Sequence, residues 1–297
     1  MRSFRKTLES GHFAITAELT PPREPDLESL AVAAKILKPA VTAINLTDGA
    51  GARVRVCSLA AAIHLRGLDV EPILQMTCRD RNRIAIKSDL LAAAAFGIES
   101  VLTLTGDGVD AGDMPEAMPV FDLDSTTLLT MIRDMSRDSL ALDRNDRNHA
   151  PAFFRGAADA PVAIDDDWRP AGLLAKIEAG AQFVQSQYCF DMQLLERYMQ
   201  RLSDSGVTER VYFLVGLGPL KSAAGARWMR DTLYGTIIPD GIIRRMEAAR
   251  DPRHEGIVIC SELIQQAREI RGVSGVHLMA PGQHREIVEA IRFAGLT

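Results

Sequence analysis

A carboxylate closes the first apolar run of the chain, Phe13-Ala14-Ile15-Thr16-Ala17-Glu18-Leu19, and Thr20-Pro21-Pro22-Arg23 halts the run immediately after it. The run reads as a buried strand, because tandem prolines cannot continue a sheet. Glu18 then stands at the C-terminal edge of a strand, where parallel sheets and barrels place their chemistry. A carboxyl flanked by apolar residues is costly to ionise, which suits a general acid. The competing reading is a rim carboxylate paired with Arg23, and on this run alone it is the stronger of the two.

Other short apolar runs end in the same way. Val41–Thr47 leads into Asp48, Val70–Met76 carries Gln75, and Ser100–Thr105 leads into Gly106 and Asp107. Ala152–Ala157 contains Arg155 and Gly156, Phe183–Gln187 ends in an amide, Val211–Gly216 runs into Gly216-Leu217-Gly218-Pro219, and Gly275–Met279 carries His277. Carboxylates, amides and threonine hydroxyls therefore gather at one rim. The set lacks a Ser or Cys nucleophile beside a His, and it lacks the spacing of a metal site. Such a rim suits binding and protonating a neutral heterocycle better than hydrolysis. Gly216 and Gly218 lack the third glycine of a dinucleotide fingerprint, since Lys221 stands in its place, so they predict a tight turn. Asp107, Asp110 and Asp113 lack the closing Glu of a calcium loop and predict a solvated loop.

Eight strand candidates alternate with amphipathic segments, Leu27–Leu37, Arg55–Arg66, Arg83–Phe96, Thr126–Ser139, Gly172–Ala179, Met192–Ser203 and Glu286–Phe293. Their apolar residues recur at helical spacing, and several segments end at Gly or Pro. A longer helical region, residues 223–271, is interrupted by Pro239 and Pro252. Eight β-α units in 297 residues predict an α/β fold, a (β/α)8 TIM barrel in one domain over residues 1–297. Gly106–Pro119 reads as a long loop after the fourth strand, and Asp143–Pro151 as an exposed polar insertion.

Composition narrows the function classes. The net charge is −5 without a basic run, which argues against a nucleic-acid partner. No stretch approaches about 20 continuous apolar residues, so no membrane span is expected. The basic start, Arg2 to Lys6, lacks the apolar core of a signal peptide. Cys57, Cys78, Cys189 and Cys260 are far apart and read as free thiols of a cytoplasmic protein. The histidines are equally scattered, and no metal site is expected. Exposed barrel helices often pair, so self-association into a homo-oligomer fits the pattern, although no heptad seam is visible.

Taken in order, several stretches resemble the methylenetetrahydrofolate reductase family. They are Ala17-Glu18-Leu19-Thr20-Pro21-Pro22-Arg23, Leu46-Thr47-Asp48-Gly49-Ala50, Leu104-Thr105-Gly106-Asp107 and Phe153-Phe154-Arg155-Gly156-Ala157-Ala158. Lys176-Ile177-Glu178-Ala179-Gly180-Ala181, Gln187-Tyr188-Cys189-Phe190-Asp191, Gly216-Leu217-Gly218-Pro219-Leu220 and Gly275-Val276-His277-Leu278-Met279 follow. The resemblance covers about residues 13–295. It implies a TIM barrel that passes a hydride from NAD(P)H through FAD to 5,10-methylenetetrahydrofolate. By the same resemblance Glu18 is the general acid, Asp107 an anion near flavin and pterin, and Gln187 and Met279 folate contacts. Thr47, Gln75, Gly106, Asp107, Ala157 and Lys176 are the implied cofactor contacts.

The chain departs from the family on the flavin side. Gln75 replaces a common His, Thr105 a common Arg, and Ala175 a common basic residue before Lys176. The tyrosine that often follows the strand-two threonine is Asp48, and Pro281-Gly282-Gln283 stands where some relatives carry Asn-Arg. The folate-side residues Glu18, Asp107 and Gln187 are kept. Two rival readings follow from this asymmetry. One is a folate one-carbon enzyme that binds FAD weakly or works without it; the other is a folate-binding partner subunit of a methyltransferase system.

Overall fold

Eight parallel strands close on themselves in chain order: β1 (Ala14–Leu19), β2 (Ala43–Leu46), β3 (Pro72–Thr77), β4 (Ser100–Leu104), β5 (Phe154–Asp159), β6 (Phe183–Tyr188), β7 (Tyr212–Leu217) and β8 (Val273–Leu278). The computed structural model describes residues 3–137 and 151–296. The expected (β/α)8 barrel is therefore present, and each expected strand lies within two residues of an observed one. The predicted insertion at 143–151, apart from Pro151, and the end of the fourth expected helix, residues 138–139, lie outside the described residues.

The expected helices are α2 (Glu28–Leu37), α3 (Ser58–Arg66), α4 (Arg83–Ala95), α5 (Ser125–Arg137), α6 (Ala171–Ala179), α7 (Met192–Asp204) and α11 (His284–Phe293). Between β7 and β8 the chain forms α8 (Ala223–Thr232), α9 (Asp240–Ala248) and α10 (Pro252–Glu269). The two prolines of this region open helices rather than interrupt one. Pro239 is the N-cap of α9, and Pro252 occupies the first turn of α10 behind Asp251, whose carboxylate accepts from the N–H groups of Arg253 and His254. A proline there gives up an N–H that has no helical partner in any case.

Alternation along each strand sorts the side chains into two populations. Ile15, Ala17, Ile44, Leu74, Val101, Val184, Val215 and Val276 belong to the main hydrophobic cluster, with Leu30, Leu37, Leu65, Leu90, Leu195 and Ile291 of the surrounding helices. Ala14, Ala43, Ile73, Leu102, Phe154, Phe183 and Leu214, from the N-terminal halves of seven strands, form a second cluster inside the barrel.

The sequence reading missed what closes that end. Helix α1 (Phe4–Glu9) is capped by Ser3 and inserts Phe4 and Leu8, both buried, into the inner cluster. Phe4 meets the Phe154 and Phe183 rings edge-on at 5.6 and 5.1 Å, and those two rings stack at 4.9 Å. Edge-to-face and stacked pairs add to the stabilisation from area burial. Phe4→Ala should cost about 3–5 kcal/mol, the usual range for truncating a buried Phe. Urea unfolding of the two proteins measures this, and a loss under about 1 kcal/mol would mean α1 is not part of the core.

Candidate functional site

Above the apolar plug the interior turns polar. Thr16 of β1, Asn45 of β2, Gln185 of β6 and His277 of β8 are all buried. Asn45 and Gln185 exchange two amide hydrogen bonds across the barrel, Nδ2 to Oε1 at 2.7 Å and Nε2 to Oδ1 at 3.1 Å. Gln185 Nε2 also reaches Thr16 Oγ1 at 3.0 Å, and Thr16 Oγ1 lies 3.0 Å from His277 Nδ1. Buried amides of this kind are tolerable because each is satisfied.

Glu18 stands one step higher on β1. Gln75 of β3 donates Nε2 to Glu18 Oε2 at 2.9 Å, and His277 Nε2 lies 3.7 Å from the same oxygen. The competing pairing with Arg23 does not occur, since Arg23 bonds Asp113 instead. Glu18 is one-fifth exposed, so the carboxyl is mostly shielded yet open to a ligand. The amide of Gln75 suits either protonation state, because it donates to a carboxylate and, turned over, accepts from a carboxylic acid.

Gln75 also lines a 590 Å³ cavity over the C-terminal ends of β3 to β6. Gly106, Asp107, Lys176 and Gln187, all expected from sequence, line it too. Gly106 has φ +99°, and a Cβ there would stand 3.1 Å from both Thr77 Cβ and Arg79 Cβ, so only glycine serves at this strand end. Lys176 donates to the Ala158 carbonyl at 2.6 Å. Sequence reasoning missed Thr77, Ser125, Asp159, Val162 and Tyr234 in this lining. Asp159 accepts from Tyr198 Oη at 2.6 Å, and burial pushes its carboxyl above the usual range against that bond and the nearby Lys176.

Several expectations need correction. Ala157 does not face the cavity; it packs outward with Leu129, Ala179 and Ala181, and Ala158 lines the cavity in its place. Arg155 also turns away, donating to the carbonyls of Gly180 and Phe153. Asp48 touches the cavity but is committed to structure. It accepts from Thr77 N at 2.8 Å, Thr77 Oγ1 at 2.9 Å and Ser58 Oγ at 3.0 Å, and it pairs with Arg81. The acidic loop is exposed, as expected, and it is also tied down. Asp107 accepts from Gly51 N at 3.0 Å and Asp113 from Val54 N at 2.9 Å, which ties the β4 loop to the β2 loop. Gly216 and Gly218 are not turn residues; a Cβ on either would strike the backbone of β6 or of Met279. Met279 follows β8 on the face of His277, and its carbonyl accepts from Tyr188 Oη at 2.6 Å.

A model of the methylenetetrahydrofolate reductase family matches residues 3–294. The chain belongs to the methylenetetrahydrofolate reductase family. It is 24% identical over 252 residues to a probable methylenetetrahydrofolate reductase (NADPH) of Caenorhabditis elegans, covering 82% of this chain and 35% of that protein. It is 24% identical over 202 residues to the 5,10-methylenetetrahydrofolate reductase of Pectobacterium carotovorum subsp. carotovorum, covering 66% and 61%. The matches thus span about a third and three-fifths of the lengths of these curated relatives. Among solved structures, an uncharacterised Clostridium thermocellum protein that binds two copies of 5-methyl-5,6,7,8-tetrahydrofolic acid aligns with a TM-score of 0.64 at 13% identity, over 98% of this chain and 97% of that one. A Mycobacterium tuberculosis tryptophan synthase reaches 0.51 at 14% identity, over 100% and 99%. At these identities the two structures speak for the barrel alone.

The reductase family implies FAD, and the residues present fit its flavin ring. Gln75, Thr77 and Thr105 offer donors and acceptors around the cavity. Thr47 is buried and its Oγ1 has no hydrogen-bond partner among the described residues, but it is not among the residues that line the cavity.

The pairing of Asp48 with Arg81 allows a test of its structural role. Asp48→Ala should destabilise the fold by about 3 kcal/mol, because it leaves the mostly buried Arg81 with only Asp89 for a charge partner. Chemical denaturation measures the loss, and a change within about 0.5 kcal/mol would show that the pair is only ornamental to the fold.

Proposed function

We propose that the chain reduces a 5,10-methylenetetrahydrofolate to the 5-methyl compound, with NAD(P)H as the hydride source and FAD as the carrier. The observation that carries the reading is Glu18, held between Gln75 and His277 at the edge of the cavity. Ring opening requires a proton on N10 as its bond to the bridging methylene carbon breaks, leaving that carbon as an iminium bonded to N5. Glu18 is the acid that delivers the proton. Gln75 holds its carboxyl in place before and after the transfer, and His277 fixes it from the other side.

The Asp107 side chain lines the cavity and would favour the cationic iminium by its opposite charge. Gln187 offers both a donor and an acceptor to the pterin edge, and Met279 gives an apolar contact above His277. Gln75, Gly106 and Lys176 would hold the flavin, which when bound accepts a hydride from NAD(P)H and passes it on. Lys176 is the cation available to a cofactor phosphate in this lining, where Asp48, Asp107 and Asp159 also stand. That excess of carboxylates favours, as a second reading, a folate enzyme with weak or absent FAD binding.

A visible spectrum of the purified protein, taken after FAD addition and removal of the excess, separates the two. Retained flavin absorbance is expected, and a colourless protein that still reduces the folate would establish the second reading. Glu18→Gln should lower folate turnover about 10²–10⁴-fold, the range for removing a general acid. Flavin reduction by NAD(P)H should survive, and equal loss of both half-reactions would remove Glu18 from the acid role.

A further inference from the structure

A second, smaller cavity of 210 Å³ adjoins Glu18 on the side away from Gln75's cavity, between the loops that follow β1 and β8. Its polar lining includes Glu18, Ser29, Arg55 and His284. Arg55 is largely covered and has no carboxylate partner among the described residues. Its one hydrogen bond there is from Nη1 to the Pro21 carbonyl at 3.1 Å, and its Nε is buried with no partner among those residues. His284 Nδ1 is likewise buried without a partner. Burial pulls His284 below the usual imidazole range, against the opposing field of Glu286, so the ring is neutral near pH 7 and offers one N–H. The carbonyls of Ala280 and Pro281 do not supply the missing bonds.

A shielded guanidinium without a counter-ion is an expensive arrangement unless an anion completes it. Two unpartnered buried polar atoms in one small cavity point the same way. We infer that this cavity is a carboxylate subsite, in which Arg55 and His284 hold the glutamate end of a folate whose reacting nitrogen lies at Glu18. The inference rests on the folate reading above. The order of groups in such a ligand runs pterin, N10, aryl ring, glutamate. The order of features in the protein runs the 590 Å³ cavity, Glu18, then the cavity holding Arg55. A guanidinium matches a carboxylate in shape and charge, and its Nε and Nη2 edge can engage both oxygens.

Calorimetric titration of the full chain with 5-methyltetrahydrofolate and with its glutamate-free pteroate analogue tests the assignment. The wild-type protein should bind the glutamate-bearing ligand at least about tenfold more tightly, as expected for charge-assisted hydrogen bonds. Arg55→Ala should remove most of that preference while leaving pteroate affinity within about twofold, with Arg55→Lys intermediate and His284→Ala a smaller loss in the same direction. Arg55→Gln, which keeps the side chain's bulk, guards against a folding defect, and unchanged pteroate binding confirms an intact site. Equal affinity of the wild type for both ligands would overturn the assignment while leaving the folate reading in place, as would an equal loss on both in the variants. Binding of neither ligand by the wild type would overturn both.

Discussion

Two amides meeting across the barrel set the terms for everything above them. Asn45 and Gln185 come from strands on opposite sides of the closed sheet, and each satisfies the other while Gln185 also reaches Thr16. Apolar side chains at this level would fill the interior but would remove the Gln185 Nε2 contact, 3.3 Å, to His277 Nδ1. With the amides in place, His277 has Thr16 on one nitrogen and faces Glu18 with the other. The orientation of the carboxyl thus depends on a buried layer one step below it.

The rim is organised by a different device. The loops after β2 and β4 carry carboxylates whose partners are mostly backbone N–H groups and arginines of the protein itself. Asp48 is consumed by Thr77, Ser58 and Arg81, and Asp113 by Val54 and Arg23. Asp107 keeps a single backbone partner, Gly51, and remains exposed at the cavity. Carboxylates that look equivalent in sequence are therefore sorted by their neighbours into structural ties and a group left open to a ligand.

Much of this was legible in the chain. The apolar runs marked the strands because strands buried on both faces tolerate little else, and Pro21, Gly106 and Gln187 marked where they end. Thr16, Asn45 and Gln185 could have been found as well, since each lies two residues before a rim residue already singled out, and a period of two puts both on one face. Ala157 came from the family resemblance, and the same period of two corrects it: it shares the outward face of Arg155, while Ala158 faces the cavity. Helix α1 escaped because six residues carry too little periodicity, although Phe4 and Leu8 have the right spacing. Tyr234 and Asp159 reach the cavity through loop paths and a partner, Tyr198, that local sequence does not specify.

The plug formed by Phe4 and Leu8 has a consequence for traffic. With the N-terminal end of the barrel filled by aromatic rings, whatever reaches the level of Glu18 arrives and departs at the opposite end. If two reactants must each approach that level, both come and go through the C-terminal face of the barrel. A closed floor thereby assigns all exchange to the loops of one end.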